Sequence, residues 1–404
     1  MDREKIVQSQ TLGAVTRRRL LQALGTGGMA VALGARPGLL RASGTSSERD
    51  GGRDEGNGST LRTRLTRDYG LAHPFVGAGM GFVALPALVA AVSEAGGLGV
   101  LGVAPEPPPV FAERITQIRA LTSRPFGVDF FLAQSPTLGA TTVDGHIDVA
   151  VAAKVSLVVF HFGLPTAAWV ASLKSAGIRI WAQVPSVEDA RAAVHLGLDG
   201  LVAQGQEAGG HCKSTTPLHH LLHDIREELG DHVLVLAAGG IATGADIVAA
   251  LAHGADGVWV GTRLVASTEA YANPEWKRRL TEARRQDTIN TVLFGPELPC
   301  QPYRVLRTPT VDANLAQQDA ICALPATGSI GTTLLFPGTT FATPGVPMPK
   351  FSALPPTPDT TGDFNQMGMP AGESVQHIRD IKPAAHIVTE MMAEARALIA
   401  RKLG

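Results

Sequence analysis

From Thr66 to about Arg285 the chain alternates between short apolar runs and amphipathic stretches. The runs are Phe75–Gly79, Gly97–Val103, Phe126–Leu132, Ser156–Phe162, Ile178–Val184, Gly200–Gln204, Val233–Ala238 and Gly257–Arg263. Most are continuous rather than alternating, the pattern of strands covered on both faces in a parallel sheet. Between them the spacing predicts helices at Pro86–Ala95, Val110–Leu121, Asp144–Ala153, Thr166–Ala176, Val187–His195, Leu218–Leu229 and Ala245–Ala252. An eighth is expected at Glu275–Arg285. Eight strand–helix units with short loops predict an α/β fold, a (β/α)8 TIM barrel. An open doubly wound sheet competes, but the pattern has no clear break, which favours closure. Residues 295–372 are different: prolines such as Pro325, Pro337, Pro347 and Pro356 recur and no long periodicity survives. This stretch is expected to wrap the barrel or cover its site. Residues 375–403 return to a helical pattern expected to pack outside the barrel, so the folded unit is expected over 65–404.

Charge and composition refine this picture. Residues 1–43 carry seven Lys and Arg against two acids, while the whole chain is at −1, leaving the remainder at −6. A body of that sign has no reason to bind nucleic acid through phosphate neutralisation. Thr16-Arg17-Arg18-Arg19-Leu20-Leu21 precedes a Gly- and Ala-rich run to Ala35. A basic head before a short apolar stretch is signal architecture, and the run is too short for a comfortable membrane span. The arginines resemble a twin-arginine export signal. Residues 1–42 are therefore expected to engage the twin-arginine translocation machinery, and 43–64 to form a disordered polar linker. The protein is expected in the periplasm or outside the cell; the alternative is a cytoplasmic enzyme with a basic tail. Hydrophobic residues at 45% supply a large core, and 45 Gly with 27 Pro suit tight βα turns. Three cysteines exclude a disulfide scaffold. Cys300 and Cys322 can pair if the protein is exported, a question of proximity left open by sequence.

Barrel chemistry gathers at the C-terminal ends of strands. Those ends carry Gly77-Ala78-Gly79-Met80-Gly81, Asp129, His161-Phe162-Gly163, Gln183, Gly205 through His211, Ala238-Gly239-Gly240-Ile241 and Gly261-Thr262-Arg263. Small residues after the first strand let a flat ligand approach the backbone. Gly239-Gly240 and Gly261-Thr262 form a nest of backbone N–H groups where barrels commonly hold a phosphate, predicting a ligand with a terminal phosphate monoester. His211, in a Gly-rich loop at a strand end, is the candidate general base. His161 is a weaker candidate that serves equally as a cap. Three other patterns carry little. Gly97-Leu98-Gly99-Val100-Leu101-Gly102 matches GxGxxG but runs from helix into strand, the wrong order for a dinucleotide fingerprint. His219 and His223 read as a solvated helix face rather than zinc ligands, so no metal is expected. Cys212 has no visible partner for thiolate chemistry.

These pieces resemble the nitronate monooxygenase family. The resemblance rests on His73 through Gly81, Pro125-Phe126-Gly127-Val128-Asp129-Phe130, Phe160-His161-Phe162-Gly163, Glu207-Ala208-Gly209-Gly210-His211 and Ala238-Gly239-Gly240-Ile241. It covers Thr66 to the C-terminus. It implies an FMN-dependent TIM barrel that oxidises alkyl nitronates, or related carbanion-stabilised nitro compounds, with O2. By position it implies that Gly79, Met80 and Gly81 face the flavin and that Asp129 and Gln183 bond its edge. Gly209 and Gly210 would lie beside it, Gly239, Gly240, Gly261 and Thr262 would hold its phosphate, and His211 would be the catalytic base. Gly372 matches a late segment that returns to the flavin region. The chain departs from the family pattern at Asp129, where Asn is usual, at Glu373, where Gln is usual, and after His211. The related enoyl-ACP reductase II, which uses NAD(P)H, shares the scaffold; export away from NADH and acyl carrier protein argues against that alternative. A third reading is an exported flavin-binding protein that has lost activity.

Overall fold

The computed structural model describes residues 61–403 apart from 104, 138, 326 and 327. The export segment expected at 1–42 lies outside the described residues, as does most of the linker. The linker's expected end overlaps ordered chain: Leu61 is buried and Thr63 caps a helix at Arg64–Tyr69, accepting from the Thr66 N–H.

Eight parallel strands form the barrel: β1 Phe75–Gly77, β2 Gly99–Val103, β3 Phe126–Phe131, β4 Leu157–His161, β5 Arg179–Val184, β6 Gly200–Gln204, β7 Leu234–Ala238 and β8 Gly257–Val260. The sheet runs β1-β8-β7-β6-β5-β4-β3-β2. It closes where Val76 meets Leu98 and the Gly77 N–H donates to the Leu98 carbonyl at 2.9 Å. All eight expected strands are present, each within a few residues of its apolar run. The last is shorter than expected, because Thr262–Val265 turns into a short helix.

Two side-chain sets alternate along the strands. One set, with Val76, Leu98, Val100, Val159, Trp181, Val202, Leu236 and Trp259, fills the barrel interior. Leu65 and Tyr69 of the N-terminal helix join this set, and the Trp181 indole donates to the Tyr69 hydroxyl at 2.6 Å. The interior is thus a packed core, and barrels of this kind hold their ligands at the C-terminal ends. The other set packs outward against the helices.

The eighth outer helix is not the one expected. Pro274–Glu282 is helical, but the helix that packs between Gly244–Ala252 and Pro86–Glu94 is Ala384–Leu403. Gly244 makes this possible: a Cβ there would fall 2.6 Å from the Met391 carbonyl oxygen. The Glu394 carboxylate accepts from the Gly244 N–H at 2.7 Å, capping the neighbouring helix. The expected helix over 375–403 begins later because Glu373–His377 forms a 3-10 turn and Pro383 restarts the chain.

The excursion between β8 and this helix is structured. Strands β9 Thr288–Thr291 and β10 Tyr303–Leu306 pair antiparallel, and β10 also pairs with the two-residue strand Gly210–His211. A Pro-rich hairpin follows, β11 Ser329–Leu335 with β12 Thr343–Pro349. Its turn lies on helix Pro108–Leu121, where Arg114 donates to the Pro337 carbonyl at 2.7 Å and Gln117 to that of Gly338 at 2.6 Å. Cys300 and Cys322 are joined by a disulfide that ties the start of β10 to helix Gln318–Cys322.

Candidate active site

At the C-terminal ends of the strands lies a cavity of about 250 Å³. It is lined by Gly79, Met80, Gly81, Asp129, Gln183, Gly209, Gly210, His211, Gly239, Gly240, Gly261 and Thr262. Every site residue expected from the sequence is thus brought to one wall or another of the same space. Gly372 lines it too, as does His161.

One wall is backbone. Gly79 lies against Asp129, and a Cβ there would fall 2.7 Å from Oδ2. Behind it Gly102 of β2 receives the Met80–Gly81 backbone; a Cβ at Gly102 would meet the Gly81 nitrogen at 2.5 Å. The glycines of the GxGxxG stretch therefore serve close packing, in keeping with their helix-to-strand direction.

Next to this wall is a nest of donors, for Gly261 lies against Ala78 and Met80. Gly239 and Gly240 adopt positive φ, 109° and 74°. Among the described residues, the N–H groups of Gly239, Gly240, Gly261 and Thr262 meet no acceptor. Unpaired donors in one concavity form an anion site, and no Lys or Arg lines the cavity among the described residues. A flat ring on the glycine wall with a phosphate in the nest satisfies both features, so the residues fit a phosphorylated flavin.

A third wall holds His211. Its ring stacks on Tyr303 at 4.3 Å between centroids and meets the edge of Phe162 at 5.5 Å; Phe131 lies 6.1 Å away. Phe162 takes a positive φ of 74°, strain for a bulky residue that is tolerated where a site demands it. His211 Nε2 is closed off from solvent and has no hydrogen-bond partner. Burial, with His161 and Lys213 adding like charge, pushes the imidazole down to about 3. His211 is therefore neutral at physiological pH and a weak proton acceptor. Lys213 sits with its ammonium 3.8 Å from the Phe162 ring centroid.

A fourth wall joins β3 to β4. Asp129, 2% exposed, accepts from or shares a proton with His161 Nδ1 at 2.8 Å. Burial raises the Asp129 carboxyl above its ordinary range, while His161 pulls it back down. Asp129 thus replaces the usual Asn with a carboxylate that already has a partner. That partner is the His161 ring nitrogen.

Several site residues were not legible in the sequence. Tyr303 comes from the excursion and reaches His211 only through the β10 pairing. Its hydroxyl donates to the Ala353 carbonyl at 3.1 Å. Gln204 donates to the His211 carbonyl at 3.2 Å. Arg304 donates twice to the Gln206 carbonyl, at 3.2 and 2.9 Å, and faces Glu373 at 3.6 Å. The departure at Glu373 is thereby explained: it pairs with Arg304 and, at 2.6 Å, with Arg285. The late segment locks in by contact of two glycines, since a Cβ on Gly209 would meet the Ala371 carbonyl carbon at 2.6 Å. The Gly372 N–H donates to Thr262 Oγ1 at 3.0 Å. Cys212 is buried, and burial pushes its thiol up to about 11. Its Sγ donates to the Gly205 carbonyl, a structural role.

A barrel with a glycine-walled slot, a nest of unpaired N–H groups and a histidine set among rings fits an oxidoreductase built around a flavin. Residues 62–394 match the family described as nitronate monooxygenase, and the chain belongs to that family. Among curated proteins it is similar to a Mycobacterium tuberculosis 5-hydroxy-7a-methyl-1-oxo-octahydro-1H-indene-4-carboxyl-CoA dehydrogenase, 34% identical over 253 residues, covering 62% of this chain and 68% of that one. It is also similar to a probable nitronate monooxygenase of Staphylococcus aureus, 28% identical over 274 residues, 59% of this chain and 77% of the relative. Among solved structures, nitroalkane oxidase from Streptomyces ansochromogenes superposes with a TM-score of 0.68 at 29% identity, covering 84% of this chain and 99% of that one. FabK from Thermotoga maritima gives 0.68 at 29%, covering 85% and 99%.

Proposed function

We propose that this protein uses FMN to oxidise alkyl nitronates, or closely related nitro-stabilised carbanions, with O2. The observation that carries the reading is the nest of unpaired N–H groups beside the glycine wall, in one cavity with a neutral His211. Bound FMN would accept electrons from the substrate and pass them to oxygen. The chain's own residues supply the rest. Gly239, Gly240, Gly261 and Thr262 would hold the phosphate, and Gly79, Met80 and Gly81 would leave room for the ring. Gly209, Gly210, Gln183 and Asp129, which line the same cavity, would border the ring. The box of Phe131, Phe162 and Tyr303 flanks the His211 ring, whose Nε2 is closed off from water. A nitronate already carries the electron pair that is to leave, so it needs no base. His211, too weak to take a proton readily from a carbon acid, then serves to orient the anion. The disulfide supports the export reading, because structural disulfides persist in oxidising compartments.

The test is anaerobic mixing of purified holoprotein with a nitronate and, separately, with NADPH, following flavin absorbance. Loss of absorbance with nitronate alone, restored by air, is expected. Reduction by NADPH alone would overturn the reading in favour of the enoyl reductase type. Flavin that neither reagent reduces would favour a protein that only binds it. Protein that holds no flavin would overturn the nest argument.

A further inference from the structure

The excursion between β8 and the closing helix brings an acid into the cavity. Glu297 lines it together with Leu298, Ala353 and Leu354 from the same stretch. The Glu297 carboxylate accepts from the Ser352 hydroxyl at 2.6 Å and from the Ala353 N–H at 3.0 Å. A carboxylate can accept about four such bonds, so acceptor capacity remains. The segment is held on both sides of this residue. Phe294 is buried with Tyr303 in the excursion's own core, and the Gly295 N–H donates to the Phe351 carbonyl at 2.8 Å. Cys300 is tied by its disulfide to Cys322.

The same bonds place the acid on the side where His211 stands. The Ala353 carbonyl accepts from the Tyr303 hydroxyl at 3.1 Å, and the Tyr303 ring stacks on His211. The other titratable groups of the lining are Asp129, His161 and His211, and no Lys or Arg lines the cavity among the described residues. Asp129 and His161 are bonded to each other at 2.8 Å, so any positive charge on that ring is answered within the pair. The Lys213 ammonium donates to the Phe162 carbonyl at 3.3 Å, and Arg304 faces Glu373. Nothing in the lining therefore offsets Glu297.

We propose that Glu297 sets the substrate class of the oxidation, admitting nitronates whose tail is apolar or cationic and refusing those that carry a second anionic group. This rests on the flavin reading above and narrows it. The nitronate head lies at His211, and its tail runs along the excursion toward Glu297. A tail carboxylate would stand against Glu297 with no cation to offset either, and like charges a few Å apart in a poorly solvated cleft repel strongly. It would also shed water against Leu298, Leu354 and Pro355, whose side chains return no hydrogen bond. A tail ammonium would find an acceptor in Glu297. The charge of the head is common to every nitronate and drops out of the comparison.

The experiment measures kcat/KM on holoenzyme for three nitronates of equal chain length, ending in methyl, carboxylate and ammonium. In the wild type the carboxylate-ended compound is expected to be roughly 10- to 100-fold poorer than the methyl-ended one. In Glu297→Gln the carboxylate-to-methyl ratio is expected to rise by about 10-fold or more, while the ammonium-to-methyl ratio falls. A general loosening of the site cannot move the two ratios in opposite directions. Ser352→Ala removes one bond to Glu297 but keeps its charge, and is expected to preserve both ratios. Calorimetric Kd values for the three parent nitro compounds supply a readout apart from turnover, with the carboxylate-ended compound binding most weakly to the wild type. That order judges the proposal even if Glu297→Gln does not fold. The proposal is overturned if the wild type accepts the carboxylate-ended compound as readily as the methyl-ended one, or if both ratios stay unchanged in Glu297→Gln. A wild type inert to the methyl-ended nitronate would refute the oxidation itself, while the order of Kd values would still judge Glu297.

Discussion

Acidification isolates the consequence of enclosing His211. An unfolded histidine titrates near 6.5, whereas this one is held down to about 3. Its folded value is depressed, so its contribution to stability is fully present above 6.5 and is lost as the pH falls toward 3. Between pH 7 and pH 5 the unfolded chain takes up a proton that the folded chain refuses. Linkage converts this into a loss of about 2 kcal/mol, rising to about 3 kcal/mol at pH 4. The figure for pH 5 hardly depends on the folded value, because any value well below 5 leaves the folded ring neutral there. The assay is urea unfolding of flavin-saturated wild type and His211→Asn at pH 7 and pH 5. His73 and His146 are also pushed down by burial, and they contribute to both proteins alike. The expected result is a wild type that loses about 2 kcal/mol more than the variant over this interval. Equal losses would show that water reaches the ring and would refute the argument from enclosure.

Three further outcomes follow from packing. Cys322→Ser opens a loop of 22 residues and is expected to cost about 3 kcal/mol, read as a lower Tm that matches reduced wild type; a Tm equal to that of the oxidised wild type would contradict this. Gly209→Ala forces a methyl against the Ala371–Gly372 backbone and is expected to cost about 1–3 kcal/mol, with flavin Kd measured by fluorescence rising roughly 5- to 100-fold. Arg304→Ala removes both bonds to the Gln206 carbonyl and one partner of Glu373, with an expected loss of about 1.5–3 kcal/mol in denaturant unfolding and a larger KM than kcat effect.

The strands were legible because burial on both faces writes an uninterrupted apolar run, and Gly200–Gln204 matches its run to the residue. The nest of unpaired N–H groups was legible as a cluster because Gly239-Gly240 and Gly261 fall just past the ends of β7 and β8. Tyr303 was not legible. Its place opposite His211 depends on pairing across some ninety positions of sequence, and a single Tyr in a Pro-rich stretch has no periodicity to mark it. The closing helix was visible as a helix, yet its place was not. Local pattern reports which face is apolar, and says nothing of which gap in a ring of helices the face will fill. Asp129 shows a third limit. Its residue type was conspicuous, but its partnership with His161 needs neighbouring strands β3 and β4 in register, where Phe131 pairs with His161.

The detour between β8 and the helix that completes the barrel has a cost in time. Val260 ends the last strand, and the helix begins at Ala384. At about 5–20 residues per second, a ribosome needs roughly 6–25 s to make the intervening chain. Throughout that interval all eight strands exist while the apolar flanks of Pro86–Glu94 and Gly244–Ala252 lack their shared neighbour. The nascent barrel waits with a greasy seam open to other chains, the kind of surface that invites aggregation during synthesis.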